Sequence, residues 1–195
     1  MNIKKFTKGK PYILNHGGID RRKNLDTLIE VFAEIKKLPN KKFKDLILII
    51  TGTNPDLEKK LKELVKELDI NDWIIFTGYV SDDEIDLLIK DTKLVVYPTL
   101  AEGFGLPVLE SLSYRVPIVV SGLPIIKKLC KNIPIYIDPT NKKSLHEGII
   151  QGLTKPLSKD LLDEGREIAR KYSWENTSKE TFMVYKEVAT QNRRR

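Results

Sequence analysis

The sequence has 195 residues, of which 41% are hydrophobic and 31% are charged. A chain of this length can bury a sizeable core as one α/β domain, and its short runs of Val, Ile and Leu exclude a disordered protein. The net charge of +7 lies at the two ends, because four lysines in residues 1–10 and three arginines in residues 193–195 equal the whole excess. Basic termini alone are weak evidence for nucleic-acid binding, so we expect no nucleic-acid partner. If the protein meets a membrane, we expect only a peripheral contact.

The cysteine content and the length of the apolar runs indicate the compartment. Cys130 is the only cysteine, so an intrachain disulfide is excluded, and its place in IIKKLC favours a packed position over a reactive thiol. The longest apolar run, Leu46–Ile50, is far shorter than the roughly 20 residues of a spanning helix. The lysines near the amino terminus precede no apolar segment of a signal peptide. We therefore expect a cytoplasmic protein.

Short apolar runs alternate with amphipathic stretches along the chain. The runs predict strands at Tyr12–Asn15, Asp45–Thr51, Trp73–Phe76, Leu94–Tyr97, Val116–Val120 and Ile133–Ile137. Apolar residues keep helical spacing from about Asn24 to Lys37. Pro55 and Pro107 favour two later helix starts, and Ser81 with Glu84 has the spacing of a capping box.

This alternation predicts an α/β fold with a doubly wound, parallel, six-stranded, Rossmann-like sheet in residues 1–172. The chain reads as helical from about residue 141, with a separate C-terminal helix at 173–190 and a basic tail at 191–195. In such folds ligands bind beyond the carboxyl ends of the strands. The loops after the first and fourth strands are therefore the places to look for a site.

The loop after the first strand contains the sequence HGGIDRRKN. Gly17 and Gly18 allow the backbone to approach a ligand closely, and Arg22 and Lys23 place positive charge beside the start of a helix. These features suit a diphosphate. Taken alone, they are also typical of an ordinary tight loop with surface cations.

The loop after the fourth strand contains TLAEGFGLPVLE. Gly103 and Gly105 expose amides at a helix start, while Glu102 and Glu110 lie near the same edge of the sheet. A carboxylate accepts paired hydrogen bonds from vicinal hydroxyls, which is how Glu holds a sugar or a ribose. Either glutamate alone could equally be a helix-start acid or a solvated residue.

Together, these segments resemble the retaining glycosyltransferases of family 4, also called group 1, which have the two-domain GT-B fold. YILNHGGIDRRKNLDTLIEVF is similar to the family's glycine turn with Arg-Lys, and EGFGLPVLE has the family's two glutamates eight positions apart. YIDP and YSWENTSKETFMVY resemble its later strand end and closing helix. The resemblance covers nearly the whole chain and falls on the family's C-terminal, donor-binding domain.

The resemblance implies a role for each matching position. Arg22 and Lys23 match residues that hold the donor diphosphate, Glu102 matches the acid near the transferred sugar, and Glu110 matches the acid that grips the ribose. Arg22, Lys23 and Glu102 would carry the catalysis. The rest of the implied donor-binding set is Gly17, Gly18, Gly103 and the amides of Phe104, Gly105 and Leu106.

The resemblance also implies the reaction. A sugar from a UDP-sugar or GDP-sugar would pass, with retention of configuration, to a saccharide or lipid-linked acceptor, as in polysaccharide biosynthesis. We expect no cofactor and no metal ion. The family's catalytic histidine usually lies in an N-terminal acceptor domain that this sequence lacks, so a partner domain is expected, with the helix at 173–190 packing toward it. We expect the isolated chain to bind donor weakly and to transfer sugar poorly or not at all.

The chain departs from the family's pattern at two further places. Gly18 stands where many members have Arg, and Pro124 is followed by Ile125 where the family often has Glu. His16, beside the glycine turn, is expected to support or pack against the site rather than to catalyse, and His146 to be exposed. The two tryptophans, at 73 and 174, are expected to be packing anchors.

Three alternatives remain open from the sequence. The chain could be a non-catalytic interaction or nucleotide-sugar-binding protein that kept the fold and lost the chemistry. It could be a UDP-sugar epimerase-like enzyme of the same GT-B architecture. A nucleic-acid binder would depend on the two basic tails and would lose its affinity without them.

Overall fold

The computed structural model describes residues 3–155 and 157–192. The strands are β1 (Tyr12–Asn15), β2 (Ile47–Ile50), β3 (Ile74–Phe76), β4 (Leu94–Tyr97), β5 (Ile118–Ser121) and β6 (Ile135–Ile137). The helices are α1 (Lys4–Thr7), α2 (Leu25–Lys36), α3 (Lys41–Lys44), α4 (Pro55–Glu67), α5 (Asp82–Asp91), α6 (Leu106–Ser113), α7 (Pro124–Cys130), α8 (Lys142–Thr154), α9 (Lys159–Lys171) and α10 (Trp174–Asn192). Single 3-10 turns are formed by Arg21–Lys23 and Asn71–Trp73.

Within the described part of the chain, the strands form one parallel sheet of six in the order β3-β2-β1-β4-β5-β6. The predicted doubly wound, Rossmann-like sheet is confirmed. From β1 the chain adds β2 and β3 on one side and then crosses to β4 on the other. The loops after β1 and β4 therefore adjoin at the switch point, where ligands of such sheets bind.

Both faces of the sheet are covered, which explains the continuous apolar runs. Successive side chains of a strand point to opposite faces. In β1, Ile13 packs into the core formed with α2, α4 and α8, whereas Tyr12 and Leu14 pack into the core formed with α5, α6, α7 and α9. Every residue of β1, β2, β4 and β5 is buried.

Four predicted strands began too early, and the second, predicted at Asp45–Thr51, also ended one residue too late. Leu46, Val116 and Ile133 are buried but precede their strands, because an apolar residue can be buried without pairing in the sheet. Pro117, which follows Val116, has no N–H to donate to a neighbouring strand. Trp73 ends a 3-10 turn instead of opening β3.

The helix starts follow the local signals. Ser81 and Glu84 form the expected capping box at the start of α5. Pro55 occupies the first turn of α4, where the side chain of Asn54 accepts a hydrogen bond from the amide of Leu57. The segment from residue 141 is helical as predicted, although it is divided into α8, α9 and α10.

Helix α10 differs from the other long helices because Trp174–Gln191 are all exposed. The prediction that Trp174 is a packing anchor was wrong, since it is 83% exposed, whereas Trp73 does pack against the cores. The helix also continues to Asn192, two residues beyond the predicted end, and residues 193–195 of the predicted tail lie outside the described residues.

The burial of Cys130 and His146 tests the positions predicted for these two residues. Cys130 is buried as predicted, and this burial raises the pKa of its thiol to about 12. His146 is half-buried rather than exposed, because its neighbour Leu145 holds that face of α8 against the core. None of the described helices has the length and apolar character needed to cross a membrane.

Candidate functional site

The loops after β1 and β4 are tied together at the carboxyl edge of the sheet. The amide of Leu100 donates to the carbonyl of Arg22 at 2.7 Å. The hydroxyl of Thr99 lies 3.0 Å from that carbonyl and 2.8 Å from the carbonyl of Ala101. Because these bonds join the two segments directly, the two loops form one cluster at the switch point, and the space between their side chains is called the crevice below.

Lys23 is held at the centre of this crevice. It ends the 3-10 turn in which the Asp20 side chain accepts a hydrogen bond from the amide of Arg22 at 2.9 Å. Lys23 is 4% exposed, and its Nζ donates to Glu102 Oε2 at 2.9 Å and to the hydroxyl of Tyr97. A buried ammonium needs such partners, because burial without them is costly. Lys23 of the first loop therefore lies in direct contact with an acid of the second loop.

Glu102 is ionised and firmly held. Burial by itself would raise the pKa of its carboxyl, but hydrogen bonds from Tyr97 and Lys23, the charge of Lys23 and the amide of Gly103 outweigh that effect. The pKa of Glu102 therefore lies below its usual value. Tyr97 Oη donates to Glu102 Oε2 at 2.5 Å, and burial together with this carboxylate raises the pKa of the phenol. At neutral pH Glu102 is thus a carboxylate and Tyr97 a neutral phenol.

Arg22 lies at the mouth of the crevice. Its Nη1 is 3.8 Å from Glu102 Oε1, and its Nε is 3.3 Å from Asp20. The side chain is half-exposed, so its guanidinium remains free to form a charge-assisted contact with an anion. The structure thus brings Arg22, Lys23 and Glu102 together, as the sequence predicted.

The second glutamate reaches the crevice from α6. Glu110 Oε2 lies 3.2 Å from His16 Nε2, although the contact lacks the geometry of a hydrogen bond. The side chain of His16 is 1% exposed, whereas that of Glu110 is 49% exposed and can meet a ligand. The buried position of His16 at the end of β1 agrees with the packing role predicted for it.

The glycines of the first loop serve two different purposes. A Cβ on Gly17 would lie 2.3 Å from Cε2 of Tyr97, so only glycine lets this ring reach Lys23 and Glu102. Gly18 has a φ of 78° with open space around it, which is a left-handed conformation that favours glycine. Both glycines were predicted to allow close approach by a ligand. At Gly17, the group that approaches is instead a side chain of the protein itself.

The second loop leads into α6 through Gly105, the N-cap, whose φ is 99°. The amide of Gly103 donates to Glu102 Oε1 at 3.1 Å, so it is engaged by the protein itself. Phe104 is partly exposed and its ring lies edge-on to Tyr172 at 5.7 Å, and Leu106 is exposed at the first turn of α6. The amide of Leu106, the first residue of α6, has no intrahelical partner, whereas Phe104 and Gly105 precede the helix. That the amides of these three residues bind a ligand stays a prediction.

Sequence reasoning missed three polar side chains at this edge of the sheet. Tyr97 was taken only as a strand residue. Asn15 Nδ2 donates to the carbonyl of Val96 at 2.9 Å, but its buried Oδ1 and the buried Oγ of Ser121 have no hydrogen-bond partner. Polar residues at the last positions of β1, β4 and β5 were the available signal. No group of three or more metal-ligating side chains is found among the residues that the structure describes.

Comparison with known proteins identifies the family. The family described as "Glycosyl transferases group 1" matches residues 1–172. The chain is 30% identical over 176 residues to the O-antigen chain mannosyltransferase B of Escherichia coli, covering 90% of this chain and 45% of that protein. The chain thus spans less than half the length of this relative.

Solved structures agree on the fold. Sucrose-phosphate synthase from Thermosynechococcus elongatus superposes with a TM-score of 0.80 at 22% identity, covering 94% of this chain and 46% of that one. An Escherichia coli trehalose-6-phosphate structure bound with UDP-2-fluoro glucose superposes with a TM-score of 0.78 at 12% identity, covering 91% and 44%. The parallel sheet corresponds to one of the two Rossmann-like domains of the GT-B fold. By its sequence, the chain belongs to the group 1 glycosyl transferases.

Proposed function

We propose that this chain is the donor-binding half of a retaining glycosyltransferase and that it binds a nucleoside diphosphate sugar in the crevice between β1 and β4. The observation that carries the proposal is the convergence of Lys23, Arg22 and two glutamates on the switch point of the sheet. Cations beside a helix start suit a diphosphate, whereas carboxylates suit the hydroxyls of ribose and sugar. A similar fold carries a bound UDP-sugar analogue in the trehalose-6-phosphate structure, which supports this class of ligand.

Each group has a place in the proposed reaction. Lys23 and Arg22 bind the diphosphate, and the amides at 104–106 add neutral donors beside it. When the bond between the sugar and the diphosphate breaks, the departing group gains negative charge, and these fixed donors stabilise that charge without having to reorganise. Glu102 holds the hydroxyls of the transferred sugar, and Glu110 holds the ribose. Because side chains and amides offset the charge, the proposed reaction uses no cofactor or metal ion.

The acceptor half is proposed to be a second domain, because the chain covers only 45% of its mannosyltransferase relative. Helix α10 is the proposed contact, since it exposes large apolar side chains such as Phe182 and Tyr185 along a helix that few neighbours cover. A saccharide or lipid-linked acceptor would then meet the donor between the halves. Deleting residues 173–195 should leave donor affinity within about twofold, because the crevice lies in residues 15–110; a large loss would contradict this division of roles.

Calorimetry on the chain tests the proposal directly. Titration with UDP, GDP and their sugars should give measurable heat for one base, and Glu110→Gln should weaken that binding by about tenfold, the usual size of one hydrogen bond to a charged group. Glu63→Gln, an exposed change on α4, is the matched control and should leave the affinity unchanged. Absence of binding to every nucleotide, or equal affinity of the Glu110 and Glu63 variants, would refute the proposed donor site.

A further inference from the structure

Tyr97, the last residue of β4, connects the two charged groups of the crevice. Its hydroxyl accepts a hydrogen bond from Lys23 Nζ and donates one to Glu102 Oε2 at 2.5 Å. Lys23 Nζ also lies 4.6 Å from the centre of the Tyr97 ring. These three side chains come from β4, from the turn after β1 and from the loop after β4, so the phenol joins elements that are separate in the sequence.

The direction of these hydrogen bonds follows from the chemistry of the groups. An ammonium can only donate, and an ionised carboxylate can only accept. The phenol is neutral, because burial and the nearby carboxylate raise its pKa. Its single proton must therefore go to Glu102, and its lone pair must receive a proton of Lys23. No other arrangement satisfies all three groups.

The ring itself is held in place from behind. Tyr97 is fully buried, and its Cε2 lies only 2.3 Å from the position that a Cβ of residue 17 would take. The ring can pack there only because residue 17 is glycine. The backbone of the glycine turn and the side chain of β4 therefore determine each other's positions, and the hydroxyl has little freedom to move.

We propose that Tyr97 is a positioning residue of the donor site, which holds Lys23 and Glu102 in register before a donor arrives. The inference rests on the proposed function, which it deepens. An ammonium has three donors. Glu102 and Tyr97 take two of them, so the third is left to point at an incoming diphosphate. Without the phenol, the buried ammonium has only Glu102 as a partner, and the carboxylate loses one of the bonds that keep it ionised.

Tyr97→Phe removes the hydroxyl and keeps the ring, and Tyr12→Phe is its matched control. Tyr12 is also fully buried and its hydroxyl donates to the carbonyl of Leu88 at 2.8 Å, at the opposite end of the sheet. Tyr12→Phe loses one buried hydrogen bond and Tyr97→Phe loses two, so both should lower the thermal midpoint, Tyr97→Phe by more. A positioning role predicts that they differ both in the pKa of Glu102 and in affinity for the donor.

The first readout is the pKa of Glu102. It is measured by NMR from the chemical shift of the side-chain carboxyl carbon as the pH is lowered. Tyr97→Phe should move the Glu102 midpoint upward, whereas Tyr12→Phe should leave it where the wild type has it. In the wild-type chain, the Cζ signal of Tyr97 should shift at the same acidic midpoint, since its proton is shared with that carboxylate; this measurement needs no variant to fold. A Glu102 midpoint that is the same in all three proteins, or a Tyr97 Cζ signal that ignores it, would overturn the proposal.

The second readout is affinity for the nucleoside diphosphate that the wild type binds. Tyr97→Phe should weaken it by about tenfold, the size of one hydrogen bond between Lys23 and the diphosphate that is no longer well placed, while Tyr12→Phe should bind as the wild type does. A shifted Glu102 midpoint with unchanged affinity would show that the phenol tunes the carboxyl without positioning the site, and would also overturn the proposal. Failure of the wild type to bind any nucleotide would refute the donor site, whereas the Glu102 and Tyr97 titrations would still report on the coupling.

Discussion

Replacing Gly17 with alanine tests the packing that builds the crevice. The new Cβ would lie 2.3 Å from Cε2 of Tyr97 and 3.2 Å from its Cδ2 and Cζ. Carbon atoms pack at about 3.5–4.0 Å, so the ring must retreat by roughly 1 Å or the turn must move. Either shift stretches the 2.5 Å bond between Tyr97 and Glu102.

The expected cost combines two effects. Overpacking a buried site costs about 1–3 kcal/mol, and weakening a hydrogen bond to a charged group adds about 1.5 kcal/mol. We therefore expect Gly17→Ala to lower the free energy of unfolding by about 3 kcal/mol, a large share of the roughly 5–15 kcal/mol that stabilises a domain.

Urea denaturation followed by far-UV circular dichroism measures this change. Gly103→Ala is the control, because a Cβ there meets nothing within 4 Å, and its cost should stay below about 1 kcal/mol. In a Tyr97→Ala background the clash is gone, so Gly17→Ala should then cost much less than in the wild type. An equal cost in both backgrounds, or a midpoint for Gly17→Ala like that of Gly103→Ala, would refute the reasoning.

Three further predictions concern stability and reactivity. Lys36 Nζ donates to the carbonyls of Phe43, Lys44 and Leu46, so Lys36→Met should cost about 2 kcal/mol in urea denaturation, whereas the exposed change Lys37→Met should cost less than about 0.5 kcal/mol. The pKa of Glu102 is lowered in the folded chain, so this carboxylate stabilises the fold above the unfolded pKa of about 4.3, and the stabilisation is lost as the pH falls through the folded pKa. Glu102→Gln should therefore flatten this part of the acid-unfolding curve. An unchanged curve would contradict the coupling. The pKa of the buried Cys130 thiol is raised to about 12, so the native chain at pH 8 should react with a thiol reagent far more slowly than the urea-unfolded chain, and equal rates would contradict its burial.

The sheet could be predicted in detail because its signals are local. A strand buried on both faces must be continuously apolar, and residues 47–50 show this directly. The ends of strands were less certain, as Val116 and Ile133 illustrate, because burial alone does not distinguish a paired residue from one in the preceding loop. Trp174 was misplaced for a related reason. An apolar side chain in a helical pattern implies a partner surface, but the pattern does not reveal whether that surface is part of this chain.

The site could be predicted in outline. The two loops were found from their glycines, cations and carboxylates, and the order of strands brings them together at one edge of the sheet. The roles of Arg22, Glu102 and Glu110 toward a donor stay predictions, which the proposed binding experiments address. The contact between His16 and Glu110 could not be read from the sequence, since the two residues are 94 positions apart and meet only after β1 and α6 pack on the same edge.

By itself, the amino-acid sequence determined the alternation of strands and helices, the two loops of the candidate site and the family, because these depend on residue types at short spacing. Only the tertiary structure decided which groups share protons and charge. Lys23 and Tyr97 are 74 residues apart along the chain, and their contact depends on β1 pairing with β4 and on the missing Cβ of Gly17. Such contacts are set by distances of a few ångströms between packed elements, and no local pattern in the chain encodes those distances.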